Sequence, residues 1–382
     1  MKTSLKEQSQ CLNLQCTLSN MNRENHYMNC NIYMMTGGYS LHLIVYLAYI
    51  SVTASELPVV EFVPQKILTL TPSQFTANGT TELSTVCAEQ CIQHEYQPEA
   101  VVHHHLDYET AYSNGSRTLT TVTVRIPQSN GSRKKQKNAK FMRGRRQIYG
   151  PDIRFSIRGQ RFLTDFPFAA AVRLSTGCTG VLVTERHVLT AAHCIHDGHD
   201  YVQGARKLRV GFLRPGARPT LRWVRVKSTR IPRGWIGAPI ELSMDYDYAL
   251  LELRRAQSQP HMHLAASPPL ESLAGRRVHF SGFDSDRPGE LVYRSCRVQQ
   301  QTIHLLYQHC DARPGASGSG VYGRLRHGGR WERKVIGVFS GHQWVEVSGE
   351  PREYNVVVRL TPPKYAQICY WISGNNSSCL YE

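Results

Sequence analysis

The 382-residue chain has little apolar sequence long enough to lie in a lipid bilayer. An apolar run at residues 41–50 is only about half as long as a membrane-spanning helix requires. We therefore expect no stable membrane anchor.

The chain also lacks the CxxC spacing of a zinc site among its 11 cysteines, and it carries no internal repeat. We accordingly expect neither a structural metal nor a cofactor. Several cysteines lie in local pairs instead: Cys178 with Cys194, Cys296 with Cys310, and Cys369 with Cys379. Such usage is typical of disulfides formed in an oxidising compartment.

Acidic residues are scarce relative to basic ones. The chain has 29 Asp and Glu against 45 Lys and Arg, for a formal net charge of +16. Its field will attract anionic partners. A DNA-binding role would rest on charge alone, and the signs of export argue against it, so heparin-like glycans are the expected anionic partner and nucleic acid is not.

Those signs begin with the apolar run, which is followed by small residues resembling a signal-peptidase site at Val52, Thr53 and Ala54. A buried strand or helix is the alternative interpretation. We predict an N-terminal extension and signal peptide over residues 1–54, with the signal itself at 34–54, and an extracellular protein. Four N-glycosylation sequons agree with this route, at Asn78, Asn114, Asn130 and Asn376.

Residues 133–146 hold eight Lys and Arg and no acidic residue. Such a block repels itself and stays extended, which exposes its backbone to proteases. Arg143, Arg145 and Arg146 form a furin-type processing site, with the cut after Arg146. A heparin- or nucleic-acid-binding patch is the alternative, and both roles are compatible. We predict a prosegment over residues 55–146 and a folded domain over residues 147–382.

Short β-rich runs between turn residues fill the domain, and this spacing predicts an all-β barrel or sandwich. Upstream, residues 118–126 also alternate like a strand. Residues 363–372 predict a helix, with a proline in its first turn.

A histidine, an aspartate and a serine stand in distinctive segments of this domain. His193 ends the run 189–194, Asp247 lies in 245–251, and Ser317 lies in the glycine-rich run 314–320. A serine hydroxyl needs an adjacent base, and a histidine can take its proton. A buried carboxylate fixes the imidazole tautomer, and amide donors must already be in place where the oxyanion develops.

These segments resemble the three motifs of the chymotrypsin (trypsin-like) serine proteases, over roughly residues 147–382. The resemblance implies a triad of His193, Asp247 and Ser317, with Asp245 as the weaker candidate for the carboxylate. It also implies that the amides of Gly315 and Ser317 form the oxyanion hole. The expected activity is peptide hydrolysis through an acyl-enzyme, on protein or peptide substrates.

The same resemblance implies the fold: two six-stranded antiparallel β-barrels with the active site between them, ending in the predicted helix. The first barrel would carry His193 and Asp247, and the second would carry Ser317. A disulfide between Cys178 and Cys194 would close the histidine loop, with a stabilisation of roughly 3 kcal/mol.

The chain departs from the family at Ala316, where an acidic residue usually pairs with the new N-terminus after activation. Cleavage after Arg146 would expose Gln147 rather than Ile or Val, so the usual zymogen switch is absent. Removal of an inhibitory prosegment is the alternative route to activity. A silent pseudo-protease that binds glycans or matrix is the rival function, because a collapsed oxyanion hole would disable an intact triad.

The sequence predicts substrate specificity less directly than the catalytic groups. Asp311 lies where the family's S1 aspartate binds Arg or Lys, although a surface or turn carboxylate explains it equally well. Ser340 and Gly341 resemble the strand that aligns substrate. His342 would favour acidic groups if it lined the pocket, but we expect an ordinary loop residue. The neighbouring histidines are expected at the surface: His187, His196 and His199.

Overall fold

The computed structural model describes residues 13–18, 28–36, 39–43, 60–87, 104–125, 152–214, 216, 220–273, 275–347 and 350–375. The chain divides into a small unit within residues 1–56 and a large one within residues 57–382. Among the described residues, none of the helices combines the length and the apolar character that a bilayer crossing demands.

The small unit is a three-stranded antiparallel sheet of β1 (Asn13–Leu18), β2 (Met28–Thr36) and β3 (Tyr39–Leu43). The predicted signal segment overlaps β2 and β3, and its residues 44–54 lie outside the described part of the chain.

The large unit holds the other strands and several α-helices. Its first strands are β4 (Glu61–Leu70), β5 (Ser84–Cys87), β6 (Tyr108–Tyr112), β7 (Arg117–Arg125) and β8 (Phe155–Ile157). There follow β9 (Ala171–Leu174), β10 (Thr179–Thr184), β11 (His187–Thr190), β12 (Arg209–Arg214), β13 (Thr220–Pro232) and β14 (Ala249–Leu253). The last six are β15 (Arg277–Gly282), β16 (Leu291–Gln301), β17 (Leu305–Gln308), β18 (Gly320–His327), β19 (Arg330–Val347) and β20 (Glu350–Arg359). The helices are α1 (Gln160–Thr164), α2 (Ile240–Ser243), α3 (Leu270–Leu273) and α4 (Pro362–Ser373).

Six strands, β9 to β14, close into the first antiparallel barrel, in the order β12-β9-β10-β11-β14-β13 with β12 pairing back to β13. Alternation within β13 shows why it folds this way. Val224 and Val226 are buried, whereas Arg225 and Lys227 between and after them are exposed. The period of two places one face of the strand in the barrel core and the other in solvent.

The second barrel closes in the same manner, with strand order β15-β18-β19-β20-β17-β16 and a pairing between β15 and β16. Its interior is apolar and includes Phe280 stacked on Phe339 at 5.0 Å. The structure therefore confirms the predicted pair of six-stranded barrels.

Strands that precede the basic residues 133–146, here called the basic linker, extend both barrels. β6 pairs with β13, and β7 and β4 follow it in the same sheet. β5 instead pairs parallel with β19 of the second barrel. The predicted strand at residues 118–126 is confirmed as β7, although its packing against the first barrel was not anticipated.

The predicted C-terminal helix is confirmed as α4. It begins with Pro362 after Thr361 and ends at Ser373, and the next residue, Gly374, has a φ of 75°, the left-handed conformation that suits glycine after a helix. The ring of Tyr370 lies 5.4 Å from Phe62 of β4, and Trp371 meets Tyr108 of β6 edge to face at 5.3 Å. The helix thus holds the N-terminal strands against the first barrel.

Replacing Phe62 by Ala should lower the free energy of unfolding by about 3–5 kcal/mol, because the ring is fully buried and its loss leaves a cavity. Ile67→Ala is the matched control on the same strand. Its side chain is 68% exposed, so the change should be within about 0.5 kcal/mol. Urea titrations of the full chain measure both, and equal effects would contradict this account of β4.

Candidate active site

His193 and Asp247 meet inside the first barrel. His193 lies in a short 3-10 turn after β11, and Asp247 lies two residues before β14. Because β11 pairs with β14, the two segments are held side by side. The Nδ1 of His193 is 2.7 Å from Oδ2 of Asp247, and the His193 backbone N–H donates to Oδ1 at 2.8 Å.

The Asp247 carboxylate is fully buried and accepts a further hydrogen bond from the Ser340 hydroxyl of β19. Burial by itself raises the pKa of a carboxyl group. The adjacent His193 and the hydrogen bonds from His193 and Ser340 outweigh that effect and hold the pKa of Asp247 below its usual value. Asp247 is therefore an ionised acceptor that orients the imidazole.

Asp245, the weaker candidate for this role, lies elsewhere. Its backbone carbonyl accepts from the Lys364 ammonium of α4, and burial raises the pKa of its carboxyl to about 6 against the attraction of that ammonium.

Ser317 lies in the turn that leads into β18, together with Gly315. Its hydroxyl donates to the Ser340 carbonyl at 2.8 Å, not to His193. On the imidazole, Nε2 lies 3.7 Å from the sulfur of Cys194. His193 and Ser317 are 1% and 2% exposed, and Ser317 lines a narrow pocket.

The turn before Ser317 needs glycine. Gly315 has a φ of +97°, and a Cβ there would collide with the Phe283 carbonyl oxygen. Its amide faces the cleft and donates to the Thr81 carbonyl at 2.9 Å. The Ser317 amide belongs to the same turn. A carbonyl from the N-terminal segment therefore occupies one of the two predicted oxyanion donors.

The first barrel holds this turn through Thr179 of β10. The Thr179 hydroxyl donates to the Gly315 carbonyl at 2.7 Å and accepts from the Phe283 amide at 2.9 Å. Its own N–H donates to the Ser317 carbonyl at 2.9 Å. These contacts order the loop without an acidic residue at Ala316.

A buried ionic cluster steadies the loop on the other side. The Arg154 guanidinium, 2% exposed, is 2.7 Å from both Asp284 and Asp286, and Arg294 also binds Asp284. Next in the chain, the Ser285 amide donates to the Pro314 carbonyl at 2.8 Å. Sequence reasoning missed this cluster, because nothing in the local sequence relates Arg154 to residues some 130 positions away.

The predicted specificity residues separate into two groups. Ser340, Gly341 and His342 all lie on β19 beside Ser317. Asp311 is fully buried, accepts from the Ile153 amide at 2.9 Å, and is not part of the pocket lining. The expectation of a loop for His342 was wrong, because the bulged hairpin of β19 and β20 extends through it.

Cys178 and Cys194 are joined by a disulfide, as are Cys296 and Cys310. In the part of the chain that the structure describes, Cys178, His193 and Cys194 form the one grouping of possible metal ligands. Its two sulfurs are bonded to each other and offer no thiolate. Asn78 and Asn114 are exposed, whereas Asn130, Asn376 and the processing residues Arg143, Arg145 and Arg146 lie outside the described residues.

One neighbouring histidine differs from expectation. His199 is exposed, as predicted, and His187 is half-buried, but His196 is fully buried against Tyr201 and accepts from the Gly198 amide at 3.0 Å. The surface assignment of His196 was wrong, because the loop after Cys194 folds inward. Burial lowers the pKa of His196 to about 4.

That pKa predicts acid sensitivity. Unfolded histidine titrates near 6.5, so the unfolded chain binds the proton more readily than the folded one. Stability is complete above pH 6.5 and is lost as the pH falls toward 4, by about 2 kcal/mol between pH 7 and pH 5. His196→Asn keeps an acceptor for Gly198 and should remove this part of the pH dependence, measured by urea unfolding. His199→Asn is the control, and an equal effect from it would refute the assignment.

The family model described as Trypsin matches residues 159–367. Serine protease 23 of Bos taurus is 52% identical over 85% of this chain and 90% of its own length. Inactive serine protease 35 of Mus musculus is 45% identical over 84% of this chain and 91% of its own. A solved structure of a Glu endopeptidase covers 59% of this chain and 98% of its own, at 20% identity and a TM-score of 0.45.

Proposed function

The chain belongs to the trypsin family of serine proteases, and on this premise we propose that it is a secreted endopeptidase with Ser317 as nucleophile. The observation that carries the proposal is the two-point contact of Asp247 with His193, beside a serine turn whose amide already holds a carbonyl. A buried His–Asp pair with only a structural role would not need a serine turn with a cleft-facing amide donor beside it.

In the proposed reaction, the Ser317 oxygen bonds to the substrate carbonyl carbon while its proton passes to Nε2 of His193. Asp247 stabilises the imidazolium, and the Gly315 and Ser317 amides stabilise the oxyanion. His193 then returns the proton to the leaving amine as the C–N bond breaks. Water repeats the sequence and frees the acid from Ser317, with no cofactor involved.

Two rearrangements must precede that reaction. The Ser317 hydroxyl has to leave the Ser340 carbonyl and turn toward Nε2, and the Thr81 carbonyl has to leave the Gly315 amide. We propose that processing after Arg146 by a furin-type convertase begins this change. The two disulfides and the exposed sequons Asn78 and Asn114 support passage through the secretory pathway.

Labelling with a small fluorophosphonate tests the nucleophile after cleavage at Arg146. Ser317→Ala should abolish labelling, and Asp247→Asn should slow it by at least about 1,000-fold, since the imidazole loses its orienting acceptor. Ser272→Ala, a hydroxyl lost from α3 far along the chain, should label at the parent rate. Processed parent protein that never reacts, although folded by thermal melting, would refute the enzyme.

A second function is favoured by a different observation. A groove of about 390 Å³ on the first barrel is lined by several cations, among them Arg206, Lys207, Arg209, Arg225, Lys227 and Arg254. A sulfated glycan would complement it. With the basic linker, the groove supports a matrix-binding role, which a pseudo-protease would retain.

Heparin chromatography tests that role. Deleting residues 133–146 should lower the salt needed for elution without abolishing retention, because the groove remains. Arg206→Ala with Lys207→Ala should then lower it again. Arg276→Ala with Arg277→Ala removes the same charge from exposed positions on the second barrel and is the control. If both pairs act alike, net charge and not the groove explains binding.

A further inference from the structure

We propose that the pocket beside Ser317 is a carboxylate-binding subsite in which His342 selects acidic side chains, and that Glu82 of the same chain fills it. This inference rests on the proposed function, because it names the substrate class of that site.

The segment that carries Glu82 lies in the cleft as an added strand. The His342 amide donates to the Leu83 carbonyl at 2.9 Å, and the Gly315 amide donates to the Thr81 carbonyl at the same distance. Beyond them, β5 continues in parallel pairing with β19. Gly341 is required for this approach, because a Cβ there would collide with the Leu83 oxygen. The segment thus uses main-chain donors that a bound peptide would use.

The Glu82 side chain enters the pocket next to the nucleophile. Its Oε1 lies 3.3 Å from Nδ1 of His342, whose side chain is only 12% exposed. The lining comprises both sides of the cleft: Thr81, Glu82, Ala312, Arg313, Pro314, Ser317, Phe339, Gly341, His342 and Asn355. The free space among them is about 10 Å³, about enough for one water. Glu82, whose side chain is 32% exposed, lines this small space together with His342.

The second ring nitrogen of His342 explains its affinity for a carboxylate. Nε2 lies 4.0 Å from Oε1 of Glu353, whose side chain is 8% exposed on β20. A ring nitrogen that carries a proton donates to a carboxylate oxygen. Carboxylate oxygens face both nitrogens of this ring, Glu82 at Nδ1 and Glu353 at Nε2. Glu353 holds one end of it, and the other end is presented to the pocket.

The remaining charges agree with an acidic ligand. Apart from Glu82 itself, the charged or chargeable residues of this lining are His342 and Arg313, and both are basic. Asp311, which would attract Arg or Lys, points its carboxylate at the Ile153 amide instead. Once Glu82 withdraws, the charged or chargeable side chains left in this lining are both basic, and Glu353 stays on the other side of the His342 ring. An incoming Glu or Asp side chain would restore the pairing that is lost.

Glu82 is nevertheless placed as an occupant and not as a substrate. The residue whose side chain fills the pocket should also present its own carbonyl to the oxyanion donors. Here Thr81 supplies the carbonyl and Glu82 supplies the side chain. The parallel direction of β5 produces this offset. The segment accordingly blocks the site without aligning a bond for cleavage.

A binding experiment tests the pocket independently of catalysis. The full chain carrying Ser317→Ala and Glu82→Ala is titrated with fluorescent peptides that differ at one residue, Glu, Gln or Lys. We expect the Glu peptide to bind at least about tenfold more tightly than the Gln peptide, and the Lys peptide most weakly. Adding His342→Gln should reduce the Glu-to-Gln ratio to about one.

Glu61→Ala in place of Glu82→Ala is the matched control, since Glu61 is an exposed carboxylate on β4. In the Glu61→Ala variant Glu82 still occupies the pocket, so all three peptides should bind at least several-fold more weakly than they bind the Glu82→Ala variant. Thermal melts verify that each variant is folded. The titration is repeated with Glu82→Gln in place of Glu82→Ala, which removes the charge and keeps the size of the side chain. Equal or undetectable binding of the three peptides, or a preference for Lys, overturns the inference.

Fluorophosphonate labelling separates the two proposals. With Ser317 intact, Glu82→Ala should label several-fold faster than Glu61→Ala, because the small neutral probe needs only an open nucleophile. Labelling without a preference for the Glu peptide would overturn the subsite and leave the enzyme standing. A strong preference for the Glu peptide without any labelling would overturn the enzyme and leave the subsite standing.

Discussion

The Asp247 carboxylate is the interaction on which the rest of the site depends. A fully buried charge is tolerated only when it is paired and hydrogen-bonded, and Asp247 receives two bonds from His193 and one from Ser340. His193 belongs to the first barrel and Ser340 to the second. The carboxylate that orients the imidazole therefore also links the two barrels through hydrogen bonds. The cleft lies at this link.

Thr179 acts at the same junction for the serine turn. It bonds to the carbonyls of both Gly315 and Ser317, while the Arg154 cluster anchors the loop that packs behind them. Removing one partner from a buried ion pair leaves an uncompensated charge, so the pairing of Asp284 with Arg154 and Arg294 holds this loop in place. The Gly315 amide is held toward the cleft although Ala316 offers no carboxylate. Order in this turn comes from contacts within the folded domain and not from a newly formed N-terminus.

The strands before the linker serve the fold and the site together. β4, β6 and β7 bury Phe62 and Tyr108 against the first barrel and α4, and the segment between β4 and β6 crosses the cleft. Cutting the chain at Arg146 removes a covalent link but none of these contacts. Access to Ser317 after processing therefore also requires local opening of residues 80–87.

The sequence alone determined the features that depend on local pattern. The short β-rich runs between turn residues predicted an all-β domain, and the proline in the first turn helped to predict the final helix. The residues around His193, Asp247 and Ser317 carried the family resemblance that implied the two barrels and the three candidate groups. Only the tertiary structure decided what long-range pairing controls. It turned Asp311 toward Ile153, buried His196, joined Arg154 to Asp284, and brought Glu82 against His342 across some 260 positions of the chain. The reason is physical: side-chain period and turn chemistry act over a few residues, whereas a buried charge takes whichever partner the closed barrels bring within reach.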